Sequence, residues 1–92
     1  MSGGHFDYKQ GKLLQIAEDI NELIATNENT QVDEWGDTRG RFFKKETITE
    51  FRNAVFYLNA AYTYAQRIDW LVSGDDSEET FHKRLKEDLD KI

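Results

Sequence analysis

The chain has 92 residues, 12 basic and 18 acidic side chains, a formal net charge of −6 and no cysteine. This is the length of one domain. The missing cysteines exclude disulfides, thiolate metal sites and cysteine catalysis, and the acidic balance argues against direct nucleic-acid binding, which rests on neutralising phosphates.

Residues 1–7, MSGGHFD, read as a lead-in whose glycines make the first four positions mobile, with Phe6 and Tyr8 available to tack it to the body. They lack the apolar core of a signal peptide. Residues 8–26 read as a first helix. Leu13, Ile16, Ala17, Ile20, Leu23 and Ile24 form an apolar stripe at helical spacing. Gly11 weakens its first turn, so the start can fall nearer Lys12.

Residues 27–46 show no periodic pattern and are long for a loop in a small domain. They hold Trp35, Phe42 and Phe43, so the expectation is an ordered excursion with room for a short helical turn and Trp35 packed on the helices. Its segment 39–45 carries four positive charges and no negative one, and reads first as a solvated loop.

Residues 47–72 read as the long central helix, uninterrupted by glycine or proline. Thr47 and Glu50 have capping-box spacing. One seam comprises Phe51, Val55, Leu58, Tyr62, Ala65 and Val72; a second comprises Ala54, Tyr57, Ala61, Tyr64, Ile68 and Leu71. Two seams predict a helix covered on two sides. Gly74 is placed for a left-handed cap, and Ser77 (or Asp76) for the N-cap of a last helix over 78–91. The whole is an all-α, three-helix domain over 1–92, with a long first connection and a short second turn. No run approaches the roughly 20 apolar residues that span a bilayer, so no membrane association is expected.

Asp75, Asp76, Glu78, Glu79 and His82 crowd the start of the last helix. Carboxylates and imidazole at short spacing can bind a divalent ion. Glu79 and His82, with Glu-x-x-His spacing, are the weak metal candidates, but the further inward glutamates of a di-iron bundle are missing. An EF-hand reading fails because Phe81 stands where the loop needs glycine. The plainer reading is a capped acidic helix start with His82 paired to Glu78. No nucleophile elbow, P-loop or dinucleotide fingerprint occurs, so neither an enzyme nor a cofactor is expected. Tyr57, Tyr62, Tyr64 and Trp70 are residue types favoured at interfaces, and point to self-association as a homodimer.

The opening MSGGHFDY (1–8) and the stretch AQRIDWLVSGDDSEETFHKRLKEDL (65–89) resemble a family of small uncharacterised bacteriophage and prophage proteins. The resemblance spans nearly the whole chain outside about 27–50. Ser77 stands where the family pattern often has glycine after the paired aspartates. It implies a phage or mobile-element origin and a place in the cytoplasm of a bacterial host. It also makes the two ends, His5 to Tyr8 and Arg67 to Arg84, the preferred site.

Two functions follow as expectations. In the first, a non-catalytic accessory protein binds and inhibits a host or defence protein, with Asp69, Asp75, Asp76, Glu78 and Glu79 standing where phosphates would sit. In the second, a small phosphorylated, nucleotide-like signal is bound or sequestered by His5, Tyr8, Arg67, Arg84 and Trp70; arginine takes phosphate and an aromatic ring stacks on a base. His5 and Asp7 separately have a ligand-like spacing on the lead-in segment. A metal-dependent enzyme is the third and weakest reading.

Overall fold

The computed structural model describes residues 4–92. Met1, Ser2 and Gly3, the first part of the MSGGHFDY opening, lie outside the described residues. Three helices follow one another: α1 (Gly11–Ala25), α2 (Lys45–Val72) and α3 (Glu78–Leu89). The all-α expectation holds; among the described residues the only β-type pairing is one isolated bridge, Val32 to Thr38.

α2 is the spine, 28 residues and so about 42 Å long. It begins two residues before the predicted Thr47, with Lys44 as an N-cap that makes no side-chain bond, and the Thr47–Glu50 capping box does not form. Glu50 instead accepts from Asn53 Nδ2 at 2.9 Å. The far end is as predicted. Gly74 takes φ 87°, its N–H donates to Leu71 O, and the Asp75 N–H donates to Trp70 O. These two bonds satisfy the last carbonyls in a Schellman cap. Ser77 caps α3 by accepting from the Thr80 N–H at 3.1 Å. α3 ends at Leu89.

α1 runs antiparallel to α2. At its start, Gln10 bonds to Gln66 and Asp69. Just past its end, Asn27 holds the backbone of Phe43 by donating to its O at 3.1 Å and accepting from its N–H at 2.9 Å. α3 folds back on the other end of α2. There Arg67 Nε donates to Asp88 Oδ2 at 2.6 Å, and Asp76 lies between Arg67 and Arg84 at 3.8 and 3.5 Å.

Residues 28–40 form an ordered finger rather than a helical turn. Asp33 Oδ1 accepts from the N–H groups of Trp35 and Asp37, and the Val32–Thr38 bridge closes the base. Gly40 is required there: a Cβ would lie 2.6 Å from the carbonyl oxygens of Asn27 and Asn29. Trp35, expected to pack on the helices, stands at the tip with 81% of its surface exposed. The tip turns back through the Asp33 hydrogen bonds and Gly36 (φ 83°), so it never reaches the helices.

The second departure is larger. α1 and α3 each pack on α2 but do not approach each other, so no three-helix core forms. Ala17 and Ile48 are the only buried apolar side chains among the described residues. The second seam of α2, predicted to be covered, is open along Tyr57, Ala61, Tyr64 and Ile68, with Phe56 beside it. The molecule is a slab of 55 × 25 × 14 Å with a radius of gyration of 17.7 Å. A compact chain of this length has about 12 Å.

Candidate functional site

Asp69 is fully buried on α2 and accepts four hydrogen bonds. Gly4 N and Gln10 Nε2 donate to Oδ2 at 3.1 and 2.8 Å. His5 N and Ser73 Oγ donate to Oδ1 at 2.8 and 3.2 Å. Burial alone pushes the Asp69 carboxyl up. The donors Gln10, His5, Gly4 and Ser73 outweigh that and hold it below the ordinary value of 3.8. The buried charge is thus matched by donors on all sides.

This clamp joins residues 4–10 near the start of the sequence to residue 69 near its end. It also fixes residues 4–10 as a chain of tight turns, Asp7 N to Gly4 O, Lys9 N to Phe6 O and Gly11 N to Tyr8 O. α1 therefore starts at Gly11 rather than at residue 8. Two consecutive non-glycine residues, Asp7 (φ 54°) and Tyr8 (φ 60°), are in the left-handed region. Each such residue costs on the order of 1 kcal/mol and persists only where its surroundings over-determine it. The clamp supplies that determination. The side chains it positions, those of His5, Asp7, Tyr8 and Lys9, are exposed.

Beside the segment lies an open groove of about 490 Å³, lined by His5, Phe6, Asp7, Lys9, Gln10, Leu13 and Ala65. Its size and its mixture of apolar floor and a few polar groups are those of small-molecule sites. The His5 and Phe6 rings meet edge to face at 4.9 Å. Gln10 gives both side-chain N–H bonds to Gln66 and Asp69, while its Oε1 is buried without a partner.

The other predicted residues fall into two further groups. Arg67, Trp70, Asp76 and Arg84 form an electrostatic tie between α2 and α3, with the Arg67 guanidinium 4.7 Å above the Trp70 ring. Two residues apart on a helix, Asp69 and Arg67 lie on opposite sides of α2. Arg67 is thus not aimed at the groove, and Asp88 and Asp76 already neutralise it. Asp75, Glu78, Glu79 and His82 are exposed around the start of α3. His82 meets the Phe81 ring at 5.2 Å and makes no pair with Glu78. Among the described residues no group of three or more His, Asp or Glu side chains is arranged to hold a metal ion.

The structure thus removes two carboxylates from the expected acidic face: Asp69 is interior, and the Asp76 side chain is 4% exposed and paired. Sequence reasoning missed Gln10 and Lys9 in the groove, and Asp88 in the tie. Asp69 itself could have been recognised as interior. The first seam of α2 steps from Phe51 through Val55, Leu58, Tyr62 and Ala65, and the next step of four lands on Asp69.

The chain matches no family model, and no curated protein or solved structure is significantly similar to it.

Proposed function

We propose that the protein is a non-catalytic phage accessory protein that captures a small phosphorylated, nucleotide-like ligand in the groove at its N-terminal segment. The observation that carries this reading is the clamp. A fully buried carboxylate holds seven residues in a backbone that includes two consecutive strained positions, and it presents exposed polar and aromatic side chains beside a concave surface. Strain maintained by dedicated hydrogen bonds supports a recognition role better than a packing role. The chemistry suits the ligand class: Lys9 and His5 offer positive charge or N–H donors to phosphate, Phe6 an apolar face to a ring, and Asp7 an acceptor to hydroxyl or amino groups.

A thermal-shift series with mono-, di- and cyclic nucleotides tests the reading. A ligand at 100-fold its dissociation constant adds about 2.7 kcal/mol of stability. The expected result is a rise in Tm with one subclass, lost in Lys9→Ala and His5→Ala while the unliganded Tm is kept. His5→Ala leaves the clamp intact because Asp69 holds only the backbone of residue 5. No shift at millimolar nucleotide across the panel would reject the proposal.

The finger favours a second reading, in which a host or defence protein is the partner. Trp35 is held exposed on an ordered tip by Asp33, and tryptophan is the residue type that most often anchors protein interfaces. Capture of a host protein that is lost in Trp35→Ala would favour it over the groove.

A further inference from the structure

We infer that the open seam of α2 is a self-association surface on which a second copy of this chain packs antiparallel. One observation is area. The chain exposes 7012 Å², whereas a compact monomer of 10.8 kDa exposes about 5,500 Å². The excess of about 1,500 Å² per chain is the size that obligate homodimers bury on each partner. Another is the missing layer. Stable domains pack two layers around a core, whereas here α1 and α3 lie on one spine without touching and, among the described residues, only two apolar side chains are buried. A partner needed for the core itself is most economically another copy.

The seam is also self-complementary. Tyr57, Ala61, Tyr64 and Ile68 follow one another at steps of four, three and four along a helix whose residues 53–66 carry no charge. Tyr57, Tyr64 and Ile68 expose 69%, 47% and 37% of their surfaces. In a two-fold pair crossing at Ala61, the small side chain allows close backbone approach and Tyr57 of each chain lies beside Tyr64 of the other. The antiparallel sense brings the basic segment 39–45 of one chain toward the acidic 75–79 segment of the other. A parallel pair would set like charges together.

Native mass spectrometry and the concentration dependence of Tm test this on the full chain. An even-numbered assembly is expected, with Tm falling on hundredfold dilution. Ala61→Lys and Tyr64→Lys place their charge in water in the isolated chain. Both are therefore expected to break the assembly and lower Tm, while Tyr8→Lys, on the exposed N-terminal segment, leaves the mass unchanged. A single-chain mass at micromolar concentration with a dilution-independent Tm would overturn the inference. So would an assembly that survives both lysine substitutions. Should Ala61→Lys fail to fold, the dilution experiment on the unaltered protein decides alone.

Discussion

Two irregular segments flank the spine, and each is locked by one buried polar side chain. At the C-terminal end of α2, Asp69 holds residues 4–10; at the N-terminal end, Asn27 holds Phe43 and the base of the finger. The locks differ in kind. Asp69 is a charge that collects donors from residues 64 and 65 positions away in sequence. Asn27 is neutral, works across 16 positions, and its own carbonyl adds a bond from the Phe42 N–H. A buried charge demands complete satisfaction, so it fixes everything around it. A neutral amide tolerates more, and the finger it anchors leaves its tip in solvent.

Substitutions at the two locks should separate them, the largest effect first. Asp69→Asn sets amide donors against the backbone donors of Gly4 and His5. It should cause the largest fall in Tm of any single change discussed here and speed hydrogen exchange at the amides of residues 4–10. Slow exchange in that variant would mean the segment is held by other contacts. Asn27→Ala leaves the Phe43 N–H and C=O without partners and should cost about 2–3 kcal/mol in chemical denaturation, loosening residues 28–43 and sparing residues 4–10. Ser77→Ala, remote from both locks, should cost about 1 kcal/mol through the lost cap. Trp35→Ala should change stability by less than about 0.5 kcal/mol, because the ring touches so little.

Acid sharpens the contrast further. The folded-state carboxyl of Asp69 titrates below its ordinary value, so its contribution to stability is fully present above about pH 4. It fades as pH falls through the lowered folded value. Tm measured from about pH 5 downward should therefore drop more in the unaltered protein than in Asp69→Asn. In the Asn27→Ala background the acid-dependent drop should be unchanged, since that lock carries no proton.

Much of the fold was legible because it rests on local chemistry. Gly74 and Ser77 mark their helix ends through backbone conformation and a hydroxyl, which sequence displays directly. The first seam of α2 follows from spacing alone. The partner of a buried polar group does not show in that way. Asp69 looks like any surface carboxylate until the N–H groups of residues 4 and 5 arrive from the other end of the chain. Arg67 likewise looks available for phosphate until Asp88 and Asp76 meet it. The Thr47–Glu50 box failed because the helix extends past it to Lys45, leaving Thr47 inside the first turn. Trp35 misled because a large aromatic ring suggests a core, and this chain by itself has almost none.

That α1 and α3 each touch α2 and never each other bears on how the molecule comes apart. No contact joins the two outer helices, so each can leave the spine without breaking the other's packing. α3, with its one capping serine and its arginine tie, can melt while the α1–α2 pair and the Asp69 clamp persist. Denaturation followed at Trp70, against the tie, should then run ahead of denaturation followed by the protection of residues 4–10, a two-step loss from a chain of only 92 residues.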